Sequence, residues 1–292
     1  MKILVIIVTY NAMHWIDKCL TSVQKSSINL DCIIIDNKSS DNTIETIKNN
    51  YSFCKIIENK ENLGFGQANN IGLQYAIDHD YDFVYLLNQD AWIFPETLSI
   101  LINAYQSNNE YGILSPLQMY ASKNKLDNNF QICCSKELVS DSICGCHMKG
   151  VYSTSFVMAA HWLIPKDALL KIGGFSPSFP HYGEDHNYVH RMIYKKYKIG
   201  IVPKARAVHD REFRIDKKSL IIRKEYIDSI AEISNPNISL YRNLLIQPLR
   251  LLKRCIQLKS FTGLKYIFIL LTNYKKFIKN RKLSLHFAFL RN

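Results

Sequence analysis

Three clusters in this chain combine residue types that could do chemistry. The first is Phe83-Val84-Tyr85-Leu86-Leu87-Asn88-Gln89-Asp90, an apolar run that stops at two amides and a carboxylate. A buried strand that ends this way opens into a site, because open α/β sheets bind ligands at the carboxyl ends of their strands. A carboxylate there is a natural ligand for a hard divalent cation, Mg2+ or Mn2+, and such a cation commonly carries a phosphate. The second cluster is Phe179-Pro180-His181-Tyr182-Gly183-Glu184-Asp185-His186. Its adjacent acids stand at the start of a predicted helix, where carboxylates also serve as ordinary caps. The other use of such a pair is general-base chemistry, one acid deprotonating an attacking hydroxyl and the other orienting substrate or helix. The third is Ala205-Arg206-Ala207-Val208-His209. His209 is either structural or the completion of a metal site.

Other residues are more ambiguous. Asp36, after the apolar run Cys32-Ile33-Ile34-Ile35, suits either nucleoside recognition or the capping of the next turn. Trp162 is either a core aromatic or a platform under a sugar ring. The cysteines at 133, 134, 144 and 146 are spaced C-C and C-x-C, which argues against zinc. The first strand ends in Thr9-Tyr10-Asn11, without the glycines of a dinucleotide fingerprint or a P-loop.

These residues need a frame. Residues 3–8, 32–35, 55–57 and 83–87 read as short buried strands. Helical periodicity separates them over 13–26, 43–49 and from the 62–66 loop through 76. That rhythm predicts an α/β fold with a mostly parallel central sheet flanked by helices. Helices are expected at 97–106, 166–172 and 184–196, strands at 156–163 and 199–202, and a loop or lid over 121–150. The chain of 292 residues is long enough for one large domain with an appendage. The boundary is expected near 240, with a domain over 1–240 and a basic amphipathic helical region over 241–292.

That region carries the charge. From Tyr241 to Asn292 there are twelve Lys or Arg and no Asp or Glu, while the preceding residues hold twenty-five of each sign. Basic residues interleaved with Leu, Ile and Phe point to an anionic membrane surface. A basic helical cap is the plainer alternative, and no nucleic-acid module accompanies the tail. Met1-Lys2 runs straight into a strand, without a signal peptide, so reduced thiols and a cytoplasmic location are expected. No segment has the roughly 18–20 apolar residues of a membrane span.

Together the motifs resemble family 2 glycosyltransferases of the GT-A (Rossmann-like) fold, especially the rhamnosyltransferase-like branch. The resemblance spans about residues 3–215. It is carried by Val8-Thr9-Tyr10-Asn11, Ile35-Asp36-Asn37-Lys38-Ser39-Ser40-Asp41, Glu61-Asn62-Leu63-Gly64-Phe65-Gly66 with Asn69-Asn70, Leu87-Asn88-Gln89-Asp90, Gly173-Gly174-Phe175 and Tyr182-Gly183-Glu184-Asp185.

The resemblance implies an inverting transfer of a hexose, such as rhamnose, from a dTDP-, UDP- or GDP-linked donor. The acceptor would be a glycan or a lipid-linked molecule in cell-surface polysaccharide assembly, at the cytoplasmic face of the inner membrane. Thr9, Tyr10 and Asn11 would contact the nucleotide and Asp36 its base or ribose. Asn62, Gly64 and Asn69 would line the donor pocket. Asp90 would hold the metal with His209, and Asp185, beside Glu184, would be the base. Trp162 and the 121–150 segment would shape the acceptor side. Asn88 stands where many members carry an acid, which lowers the charge offered to a metal. The alternatives are a non-catalytic nucleotide-sugar-binding or scaffold member, and a nucleotidyltransferase.

Overall fold

The computed structural model describes every residue except 123, 146, 180, 181, 211–217 and 292. Pro180, His181 and Cys146 of the motifs above therefore lie outside the described residues.

Among the described residues nine strands form one sheet: β1 (Ile3–Thr9), β2 (Asp31–Asp36), β3 (Cys54–Glu58), β4 (Phe83–Asn88), β5 (Ala91–Ile93), β6 (Tyr111–Met119), β7 (Tyr152–Thr154), β8 (His161–Pro165) and β9 (Lys198–His209). Their order is β3-β2-β1-β4-β8-β6-β9-β5, with β7 also paired to β9. The four strands of the β3-β2-β1-β4 half are mutually parallel, and β6 and β9 are parallel. Antiparallel β8 joins the two halves, and β5 and β7 run antiparallel to β9.

The early helices are α1 (Ile16–Gln24), α2 (Thr43–Asn50), α3 (Gly64–Asp78) and α4 (Thr97–Ser107). Side chains alternate across the sheet. Ile3, Val5 and Ile7 of β1 pack in a core with α1 and α4, while Leu4 and Ile6 pack in a second core with α3. Both faces are covered, which is why these strands read as unbroken apolar runs.

The 121–150 segment is not an irregular lid. It contains α5 (Asn128–Gln131) and α6 (Lys136–Cys144), the first capped by Asp127 and the second by Ser135. Phe130 and Leu138 are buried in the α3-side core. Residues 156–160, expected within a strand, lie outside β8. Then follow α7 (Lys166–Ile172), α8 (Glu184–Tyr194), α9 (Lys218–Ser234), α10 (Leu240–Gln257), α11 (Thr262–Thr272) and α12 (Tyr274–Leu283). The last four pack on one another. The chain then returns to the sheet side, where Gly174 N donates to Ala288 O at 2.9 Å.

Candidate active site

The carboxyl ends of β1, β2 and β4 lie side by side, Thr9 in register with Asp36 and Val8 with Asn88. Their ends are laced together. Thr9 and Asp36 are buried. Thr9 Oγ1 donates to Asp36 Oδ1 at 2.8 Å, Ser39 Oγ donates to the same oxygen at 2.6 Å, and Ser39 N donates to Oδ2 at 2.8 Å. Asp36 thus does what a capping aspartate does, and Thr9 supports it from beneath. Ser39 Oγ in turn accepts from Asn11 N, and Asn11 Oδ1 accepts from Ser40 N at 2.8 Å. Asn11 has a φ of 51°, a conformation asparagine tolerates well.

Tyr10 is left exposed at the rim. Its backbone is held by Gln89, which accepts from Tyr10 N at 2.7 Å and donates to Tyr10 O at 3.3 Å. Gln89 is a positioning residue that residue type alone does not mark, although it sits beside Asp90.

Asn37 ties the 59–64 loop to the end of β2, accepting from Leu63 N and donating to Gly64 O, both at 3.3 Å. Asn62 Oδ1 accepts from Gly64 N at 2.9 Å. Asn69 does not line an open pocket: it is buried, and its amide donates to Phe65 O one turn back in α3. Asn70 has the reaching role. It accepts from Phe175 N at 2.6 Å and donates to Phe175 O at 2.9 Å, which fastens α3 to the Gly173-Gly174-Phe175 loop.

Asp90 and His209 meet because β5 pairs with β9, Ala91 opposite His209. His209 Nε2 lies 3.4 Å from Asp90 Oδ1, with the imidazole buried and the carboxylate partly exposed. Behind it, His161 is fully buried. Its Nε2 faces Val208 O at 3.0 Å, so that nitrogen carries the proton, and Nδ1 at 2.8 Å accepts from the Tyr85 hydroxyl. Burial, then the neighbouring His209, push the His161 imidazole down to about 3, so it stays neutral.

The Asp90–His209 pair suits a divalent metal. One carboxylate oxygen and one imidazole nitrogen at this separation can share an ion, and the remaining positions of such an ion commonly go to phosphate and water. Asn88 Oδ1 is buried without a hydrogen-bond partner among the described residues. An unmade hydrogen bond of this kind costs about 1–3 kcal/mol and marks a place where a partner fits. No cluster of three or more His, Cys, Asp or Glu side chains suited to a metal occurs among the described residues, the cysteines of 133–144 included.

The acid pair opens α8. Gly183 has a φ of +85°, and a Cβ there would lie 2.6 Å from Ile227 Cγ2, so glycine is required twice over. Glu184 turns inward. Its residue is 6 % exposed, its Oε2 has no partner among the described residues, and its carboxyl is pushed up to about 8 by burial and by Asp185. Near neutrality it is therefore mostly protonated. Asp185 is only half-buried and accepts from His186 N at 2.8 Å. The His186 ring stacks on Phe156 with centroids 3.8 Å apart. Asp228 of α9, whose carboxyl is raised by burial, is close enough to feel both His186 and Asp185. A Cβ on Gly66 would touch Glu184 Cβ and Cγ at 3.5 Å, so the first turns of α3 and α8 pack together. The Asn62–Gly66 loop and the acids thereby belong to one site.

Trp162 is not a sugar platform. It is fully buried, its Nε1 donates to Val157 O at 3.1 Å, and its ring stacks on Phe175 at 6.2 Å and packs against Tyr188 at 5.7 Å. On β8 its side chain points to the α3-side core, so neither face meets solvent.

Residues 4–137 match the family model described as Glycosyl transferase family 2. No curated protein matches the chain by sequence. Three solved structures are similar in fold. S. aureus TarS 1-349 in complex with UDP is 14 % identical with a TM-score of 0.57, the match covering 88 % of this chain and 72 % of that one. The mannosyltransferase PcManGT from Pyrobaculum calidifontis, in complex with GDP-Man and Mn2+, is 15 % identical with a TM-score of 0.60, over 96 % of this chain and 84 % of that one. GalNAc-T7 with UDP, GalNAc and Mn2+ is 14 % identical with a TM-score of 0.59, over 94 % of this chain and 57 % of that one. The fold is thus that of GT-A glycosyltransferases.

Proposed function

We propose that this protein is a glycosyltransferase that moves a hexose from a nucleotide-sugar donor to a hydroxyl of a glycan or lipid-linked acceptor, with inversion at the anomeric carbon. The observation that carries the reading is the pairing of Asp90 with His209 at the carboxyl end of the parallel strands. It is supported by the match of residues 4–137 to a glycosyltransferase family and by the UDP complex and the GDP-Man complex among the similar folds.

In this reading Tyr10 and Asn11 contact the nucleoside from the loop that Asp36, Ser39 and Gln89 hold in place. Asn62 and Gly64 form the wall beside the donor sugar, and Asn69 and Thr9 support that wall from inside. Asp90 and His209 hold Mg2+ or Mn2+, with the orphaned Asn88 carbonyl adding a weak donor or a hydrogen-bond acceptor. When bound, the ion neutralises the charge that builds on the leaving diphosphate.

The chemistry of the chain itself lies with the acids. Asp185 takes the proton of the acceptor hydroxyl as that oxygen bonds to the anomeric carbon. The bond from this carbon to the diphosphate oxygen breaks, and its electron pair leaves with the nucleoside diphosphate. Glu184, mostly protonated near neutrality, is no base there and keeps a second negative charge away from Asp185. Rhamnose as the sugar rests on the motif resemblance.

Asp185→Asn tests the assignment. The variant should lose transfer by about 10²–10⁴-fold, the worth of a general base, and keep donor binding. Transfer at the wild-type rate would remove Asp185 as the base.

A further inference from the structure

Helices α10 and α11 each leave an apolar stripe outside the bundle. On α10 the buried side includes Asn243 and Gln247, whose amides are satisfied locally: Gln247 Nε2 donates to Asn243 Oδ1 at 2.8 Å, and Asn243 Nδ2 to Ser239 O at 2.9 Å. The outer side carries Tyr241, Leu245, Leu249 and Ile256, each 65–80 % exposed, with Leu252 between them. Spacings of four, four, three and four residues place all five on one stripe. On α11 and the residue that caps it the same holds: Phe261 and Phe268 are 88 % and 68 % exposed, and Leu264 and Leu271 fall on their stripe. Inward, Leu251 and Cys255 of α10 pack with Ile222 of α9, and Tyr266 and Ile267 of α11 lie against that cluster. Single exposed apolar residues are ordinary, but apolar stripes on two helices that pack against each other mark an interaction surface.

The charge says what covers it. Exposed Arg242 and Lys253 flank the α10 stripe, Lys259 and Lys265 flank the start of α11, and Lys275 and Lys276 begin α12. The segment has no acidic residue to balance them. A second copy would bring the same cations face to face. A nucleic acid would satisfy the cations and leave the apolar stripes in water. An anionic bilayer takes both, apolar side chains at the acyl boundary and lysines among the headgroups. Among the described residues no helix is long and apolar enough to cross a membrane, so the helices would lie in the plane.

We infer that the exposed stripes of α10 and α11 form an in-plane dock for an anionic lipid bilayer. The dock is built into the loop that carries the acids. Phe179 packs with Ile230, Leu270 and Phe277, and Asn280 Nδ2 donates to Ser178 Oγ at 2.6 Å. Docking therefore sets the height of Glu184 and Asp185 above the bilayer. The inference does not depend on which reaction those acids perform.

The test is co-sedimentation of the full-length chain with vesicles of phosphatidylethanolamine and phosphatidylglycerol, and with vesicles of phosphatidylcholine alone. The wild-type protein should bind the first and not the second. The triple variant Leu245→Ser, Leu249→Ser, Phe268→Ser should bind at least about tenfold more weakly, with unchanged circular dichroism because the side chains are exposed. Arg242→Gln, Lys253→Gln, Lys265→Gln should weaken binding about fivefold per charge, and added salt should mimic it. Failure to bind anionic vesicles at low salt, equal binding to phosphatidylcholine, or an unaffected apolar triple variant would overturn the inference. So would a dimer, seen by light scattering, that the apolar variant dissociates, or retention of duplex DNA without vesicle binding.

Discussion

Glu184 gives the fold a built-in pH dependence whose sign follows from its burial. The carboxyl is raised from an ordinary 4.5 to about 8, first by loss of water around it and then by Asp185. Between these values the folded chain holds a proton that the unfolded chain has released. Stability from this group is therefore fully present below pH 4.5 and is lost as pH rises toward 8. The slope is about 1.4 kcal/mol per pH unit at most, so moving from about pH 5.5 to about pH 7.5 removes roughly 2–3 kcal/mol. Glu184→Gln keeps the shape of the side chain and has no proton to lose. Urea unfolding of both proteins at the two pH values isolates the effect. The stability of the variant relative to wild type should rise by roughly 2–3 kcal/mol across that interval. A difference that stays constant with pH would refute the argument, since an ionised Glu184 would then be accommodated without cost.

Two further substitutions probe the frame around the site. Trp162→Ala should cost about 3–5 kcal/mol of unfolding free energy, the usual toll for a large buried aromatic; unchanged stability with a raised acceptor KM would restore the platform role. Gly173 sits at φ +82°, where a Cβ would lie 2.1 Å from Ala288 O. Gly173→Ala should expel residues 286–291 from their groove, read as faster proteolysis of the C-terminus and a loss of more than about 1–3 kcal/mol. An unaltered digestion pattern would contradict the close packing.

Much of the parallel half was legible because its strands are buried on both faces. Ile3–Val8, Cys32–Ile35 and Phe83–Leu87 are continuous apolar runs, and such runs have few other readings. The other half was hidden by polar residues that the fold satisfies internally. β6 contains Ser115-Pro116 and Gln118, and Gln118 is buried by donating to Ser115 Oγ. The register of β6 against β9 also shifts between Pro116 and Leu117, as a bulge would. β9 carries Lys204 and Arg206, which blur its alternation. The 121–150 segment looked irregular because its two helices are short and rely on single buried anchors, Phe130 and Leu138.

The site shows the same division. Asp90 and Glu184-Asp185 were visible as chemistry at strand and helix ends. Whether Trp162 faced ligand or core, and whether Asp36 bound or capped, turned on side-chain direction, which residue type does not encode. Gln89 and Asn70 act through the backbone of distant loops, Tyr10 and Phe175, so only tertiary structure could expose them. Which apolar positions of α10 face water could not be read from periodicity either, because Asn243 and Gln247 are buried beside Leu251 while Leu245, Leu249 and Leu252 are exposed.

The central claim is nucleotide-sugar binding at the Asp90–His209 edge, and thermal shift with UDP-, dTDP- and GDP-linked sugars, with and without Mn2+, tests it most directly. A ligand present at a hundred times its Kd stabilises the folded state by about 2.7 kcal/mol, which is readily seen as a higher Tm. The wild-type protein should shift with one nucleotide class, more so with Mn2+, and Asp90→Ala should lose the enlargement by Mn2+. No shift with any nucleotide sugar, with or without the metal, would contradict it.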